Sequence, residues 1–288
     1  MIGLKYGDYE ADILPEVGGS VARLAFAGVR VLRPVPPGID DANQSGCYPL
    51  VPYANRIAYG RMRFGDRSLQ LPLTLPGDPH SLHGHGWRTK WRTVSQKADA
   101  LVLAYDYKAE SWPWNYSAEE SFSLSDEGFS VRLAATNRSE EPMPLSLGLH
   151  PWFVRTLQTV LTASVEGVWL ADDTLIPTER VEGSRFLDLK HGAKLSDAPF
   201  VDYCHTDWNG LAVLDQPDLG RRVTLTATPE CRFMHVYTPI GANFVCVEPV
   251  SAMPNAFNRS EEPAVTGVRT LTPGESFAIA MKIHVETL

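Results

Sequence analysis

Four short stretches hold most of the side chains with usable chemistry: residues 48–57 (YPLVPYANRI), 80–87 (HSLHGHGW), 147–153 (LGLHPWF) and 244–249 (FVCVEP). His150 and Glu248 each close an apolar run and each precede a proline. Proline drives the preceding residue toward extended backbone and gives no N–H to a sheet ladder, so both side chains are expected at strand ends on restricted backbone. An imidazole and a carboxylate held rigidly suit general acid–base catalysis, which needs hydrogen-bond distance to the proton being moved. Either residue alone reads equally as an ordinary strand end, and the proposal rests on the set.

His83 and His85 are two residues apart and on a strand would share a face, like half of a metal-binding motif. The next ligand does not follow: Trp87, Arg88, Thr89, Lys90 and Trp91 come instead, and the intervening glycines suggest a loop. No metal is therefore assigned. There is no G-x-S-x-G elbow, no G-x-x-x-x-G-K-[ST] phosphate loop and no G-x-G-x-x-G fingerprint, so neither a serine nucleophile nor a nucleotide cofactor is indicated.

The elements that must position these groups read as strands. Residues 20–26, 101–107, 129–135, 223–228 and 277–285 are short apolar or alternating runs bounded by turn residues such as Asp126, Glu127 and Gly128. Gly and Pro number 22 each among 288 residues, enough to punctuate many strands, and long helical periodicity is scarce. An all-β chain of packed antiparallel sheets, forming one domain over residues 1–288, is the expectation. A net charge of −8 argues against a general nucleic-acid binder. No apolar run is long enough for a membrane helix, and the N-terminal residues are too charged for an export signal. Cys47, Cys204, Cys231 and Cys246 are widely spaced and read as free, buried thiols in a reducing cytoplasm.

In their order along the chain these stretches resemble the aldose 1-epimerase (galactose mutarotase) family. Asn55-Arg56-Ile57 is similar to its N-R-I/V motif, Leu82-His83-Gly84 to its L-H-G motif, and residues 137–153 to the segment ending G-x-H-P-[YFW]-F. Val247-Glu248-Pro249 is similar to its E-P motif, and residues 271–275 to its last turn. The resemblance implies a β-supersandwich and interconversion of α- and β-anomers of a free aldose, without a cofactor.

Carried over, it makes Glu248 the general base, ionised at neutral pH, and His150 the general acid with a pKa near the ordinary histidine value. His83 and Arg56 would hold sugar oxygens, Asn55 would assist, and His83 would be the neutral partner of the two histidines. Asp202 or Asp207 would contact a hydroxyl, with Asp202 preferred, and Trp152 would offer an apolar face to sugar C–H groups. His85 stands where many members have a second glycine, and the chain is shorter than many galactose mutarotases; both put galactose itself in doubt. A hexose-6-phosphate 1-epimerase, using basic residues among Arg61, Arg63, Arg88 and Lys90, is the alternative enzyme. A non-catalytic carbohydrate-binding protein is the alternative from another class. The expected setting is cytoplasmic, as a monomer or homodimer.

Overall fold

The computed structural model describes residues 1–288. Its largest sheet has nine antiparallel strands, built outward from the hairpin Tyr116–Ser125/Gly128–Asn137 and the C-terminal strand Ser276–Thr287. The hairpin turns at Asp126 and Glu127, and Ser125 pairs with Gly128. Gly128 has φ +113, and a Cβ there would lie 2.2 Å from the Ile283 carbonyl oxygen, so the tight approach of the last strand requires glycine. Alternation is well kept: Phe129, Val131, Leu133 and Ala135 are buried, as the pattern predicts.

A second sheet of eight strands carries the chemistry. Its order runs Pro177–Glu182, Gly167–Ala171, Val201–Thr206, Phe233–Thr238, Phe244–Val250, Gly148–Leu149 and Pro49–Leu50, with Trp152–Val154 also pairing Phe244–Val250. A four-stranded N-terminal sheet spans Ile2–Tyr6 to Val29–Arg30. The α-helical content is one turn, Pro263–Thr266, and no helix is long and apolar enough to cross a membrane.

The main hydrophobic core draws on all three large sheets. From the eight-stranded sheet it takes Val201, Met234, Val236, Val245 and Val247. Because successive strand residues point to opposite faces, the intervening Asp202, Cys204, His235, Tyr237, Cys246 and Glu248 lie on the other face. Register sets them beside one another: Cys204 pairs with His235, His235 with Glu248, and Tyr237 with Cys246. One face of three neighbouring strands thus gathers Asp202, His235, Tyr237 and Glu248, while the other, apart from the buried His205, fills the core.

Candidate active site

His150 sits where the sequence puts it, between the strands Gly148–Leu149 and Trp152–Val154. Glu248 does not end a strand. The strand Phe244–Val250 continues through Pro249, which pairs in register with Met234. On the opposite edge Trp152 pairs with Cys246 and Gly148 with Val250, leaving residues 247–249 without a ladder partner there. The proline, lacking a donor, is accommodated at this gap, and His150 and Pro151 occupy it from the other strand.

Across the gap His150 Nε2 and Glu248 Oε1 are 3.2 Å apart. Both are buried, and His150 Nδ1 and Glu248 Oε2 have no hydrogen-bond partner. Burial pushes the Glu248 carboxyl well above the usual carboxylate range, with the Asp202 charge adding to the rise and Arg56 opposing it. Burial, then the neighbouring His83, His235 and Arg33, hold His150 well below the ordinary histidine value, with Asp202 opposing. Both shifts run against the expectation of an ionised Glu248 beside a normally titrating histidine. Desolvation favours an uncharged pair in which one proton serves both groups.

The pair lines a pocket of about 290 Å³ that also takes in Asn43, Tyr48, Asn55, Arg56, His83, Trp152, Asp202, His235 and Tyr237. A larger cavity of about 560 Å³, lined by Ala58, Tyr59, Arg61, Arg63, Asn255 and others, contains neither histidine nor carboxylate. Chemistry, not size, selects the smaller one.

Two loops bring in His83 and Asn55. Both have left-handed backbone, φ +61 and +59, a conformation that costs a non-glycine residue roughly 1 kcal/mol or more. They hold each other: the His83 N–H donates to the Asn55 carbonyl (2.9 Å), and the Asn55 N–H donates to His83 Nδ1 (3.1 Å). With Nδ1 accepting, the proton of the neutral ring is on Nε2, leaving a donor for a ligand. Burial, with Arg56 and His235, keeps His83 well below the ordinary histidine value, the neutral state expected of it. Gly84, with φ +68, is confined by the Val51 carbonyl, 2.4 Å from where a Cβ would stand.

Arg56 is clamped between carboxylates, with Nε 3.2 Å from Asp78 and Nη2 3.2 Å from Asp202. The other Asp202 oxygen accepts from His235 Nε2 at 2.6 Å. Burial alone would raise Asp202, but the hydrogen bond and charge of His235, together with Arg56, hold it down at about 2. Asp207 instead pairs with Arg180 at the surface, 2.8 Å away, and lines a different cavity.

The other two histidines of residues 80–85 are elsewhere. His80 is tied to the Tyr59 N–H and the Thr174 carbonyl. His85 binds the Tyr116 hydroxyl at 2.7 Å and stacks on Tyr107, its pKa lowered by burial to about 4. His83 and His85 therefore do not converge.

Trp152 lines the pocket and also packs the site from behind. Its ring lies under the Arg33 guanidinium (3.5 Å to the centroid) and parallel to His150 (5.0 Å, 12°), and the residue is only 7% exposed. It packs the histidine as well as bordering the pocket. His150 in turn stacks on Tyr48 (4.6 Å, 29°). Arg33 donates to the carbonyls of Ser45 and Asn43. Arg33, Tyr48 and His235 went unread in the sequence. The signal for His235 was a histidine inside an apolar strand, in phase with Glu248 once the strands are paired.

The family model described as aldose 1-epimerase matches residues 2–284. The chain belongs to that family. YphB, an uncharacterized protein of Escherichia coli K12, is 32% identical, over 99% of this chain and 98% of its own length. A crystal structure from Escherichia coli K12 superposes at a TM-score of 0.90 with 29% identity, covering 99% of this chain and 98% of that one. A galactose mutarotase-like protein from Clostridium acetobutylicum gives a TM-score of 0.90 at 25% identity, covering 99% and 95%. The supersandwich architecture anticipated from the motifs is the fold of these proteins.

Proposed function

We propose that the protein is an aldose 1-epimerase that interconverts the α- and β-anomers of a free aldose, with Glu248 and His150 as the acid–base pair. The observation that carries this reading is the buried His150–Glu248 contact of 3.2 Å in the wall of a monosaccharide-sized pocket. Ligand pockets usually run from about 300 to 1,000 Å³, so this one suits a single ring.

The chemistry follows from one shared proton. Moved from Glu248 to His150, it creates a carboxylate and an imidazolium together, with no change in net charge. The Asp202 charge favours the imidazolium, and the Arg56 charge favours the carboxylate. Glu248 then removes the O1 proton of the bound ring while His150 protonates O5. The C1–O5 bond breaks and C1=O1 forms. This leaves the pair uncharged, the form burial prefers. The aldehyde rotates about C1–C2 and O5 attacks its other face; His150 takes the O5 proton back and Glu248 returns one to O1. His83 Nε2–H, Arg56 and Asp202 hold sugar oxygens, with Asn55 fixing His83. Each positioned acid or base is worth about 10²–10⁴-fold.

Placement of the basic residues supports a free sugar over its 6-phosphate. Arg61 and Arg63 line the larger cavity, Arg88 lines another, and Lys90 pairs with Glu16. The arginine in the pocket, Arg56, is already matched by two carboxylates. A matched acid and base also exceed what a sugar binder needs. The test is anomer exchange followed by polarimetry or NMR across hexoses, pentoses and their phosphates. Faster equilibration than buffer is expected with free aldoses, and folded Glu248→Gln and His150→Ala variants should lose at least about 100-fold of the acceleration. Full activity in either variant would remove the role assigned to that residue.

A further inference from the structure

Cys246 lies two residues before Glu248, on the same face of the strand Phe244–Val250, and takes no part in the proton transfers above. Its thiol, one ring nitrogen of His150 and one carboxylate oxygen of Glu248 all lie within 4.8 Å of one another, and all three residues are buried. Glu248 Oε2 is unpartnered in this buried cluster, as is His150 Nδ1. Sulfur, nitrogen and oxygen are the donor types of zinc, which bonds them at about 2.0–2.3 Å and often leaves a fourth position open, so the three atoms would draw closer on binding. We propose that Cys246, His150 and Glu248 form an inhibitory site for a thiophilic divalent cation such as Zn²⁺.

The proton balance favours it. In its uncharged form the cluster carries two protons, one on the His150–Glu248 pair and one on the Cys246 thiol. A divalent ion that displaces both protons leaves the charge of the cluster unchanged. The nearby charges of Arg33, Arg56 and Asp202 then meet the same net charge before and after, so the low-dielectric surroundings do not penalise the exchange as they would an added charge. Binding would occupy the lone pairs that the acid–base pair uses and so block proton transfer.

The proposal is tested with Cd²⁺ as a spectroscopic probe and Zn²⁺ as its competitor, on the whole purified chain. One ion per chain should give a thiolate-to-cadmium charge-transfer band that Zn²⁺ removes. Protons should be released on binding, up to two per ion, so affinity should rise with pH by up to about 100-fold per unit. The folded Cys246→Ser variant should lose the band and bind at least tenfold more weakly. Glu248→Gln should also bind more weakly while keeping its thiol. A band that survives in Cys246→Ser, from Cys47, Cys204 or Cys231, would overturn the site, as would affinity independent of pH. The inhibitory part rests on the epimerase reading: Zn²⁺ should stop anomer exchange in the wild type, and a chelator should restore it. Cys246→Ser should exchange anomers when metal-free and resist Zn²⁺; equal inhibition of both would overturn the proposal. If the metal-free protein shows no anomer exchange, the epimerase reading fails while the band and proton count still decide the site.

Discussion

Two glutamates, each 1% exposed, sit in different sheets and differ in what surrounds them. Glu120 is on the core-facing side of the strand Tyr116–Ser125, in phase with Tyr116, Ala118, Phe122 and Leu124. Its neighbourhood is regular ladder and apolar packing, and its Oε2 has no partner. Glu248 stands at a gap in the other sheet, 3.2 Å from an imidazole and open to a pocket. Burial raises both carboxyls well above the usual range. A displaced pKa therefore does not distinguish a working carboxyl from a stranded one. The partner that can take its proton, and the space for a reacting molecule, do.

The largest effect that would break this contrast is on activity. If Glu248 and His150 share one proton, the Glu248→Gln/His150→Ala double variant should be little slower than either single variant, because removing one member already disables the other. Losses that multiply in the double variant would show two independent groups. Glu120→Gln should instead leave anomer exchange within about twofold, a change of less than 0.5 kcal/mol in the barrier.

Stability separates the two next. A carboxyl raised in the folded state costs nothing below its unfolded value, where both states are protonated. The cost accumulates as pH rises above that value toward the folded one, because only the unfolded chain ionises freely. The wild type should lose stability as pH climbs from about 4.5 toward neutrality, by up to about 1.4 kcal/mol per pH unit for one such group. Glu120→Gln should flatten part of that decline in denaturant unfolding measured at several pH values. An unchanged slope would mean that Glu120 is solvated on the timescale of its titration.

The smallest effect is at Arg33. Its charge opposes protonation of His150. Arg33→Met should move the acid limb of the rate profile toward higher pH, by about one unit or less, while the alkaline limb set by loss of the pair's proton stays nearly fixed. The wild-type profile should be a broad plateau across neutrality, because the singly protonated pair gains a second proton late and loses its last one late. A narrow bell centred on the ordinary histidine value would contradict the shared proton.

The fold was largely legible because period-two alternation is a direct print of one buried face. Residues 129–135 and 223–228 read correctly for that reason. Glu248 was legible as a site residue but not as mid-strand. Pro249 signals an end only if its neighbours on both edges are continuous, and the gap depends on residues about a hundred positions away. His85 was read beside His83, yet consecutive left-handed residues at His83 and Gly84 turn the chain so that only one of them lines the pocket. His235 needed register, which a single strand does not contain. Glu120 was not read from the sequence at all, and the strand that buries it, Tyr116–Ser125, was not among those anticipated.

The parallel packing of Trp152 on His150 has an optical consequence. An imidazolium accepts an electron from an excited indole far more readily than a neutral imidazole does. Trp152 emission should therefore dim as His150 becomes charged, so that the indole reports the protonation state of its neighbour. The part of the emission that follows pH in the wild type and vanishes in Trp152→Phe would be a clock for the proton shift, read without any sugar being consumed.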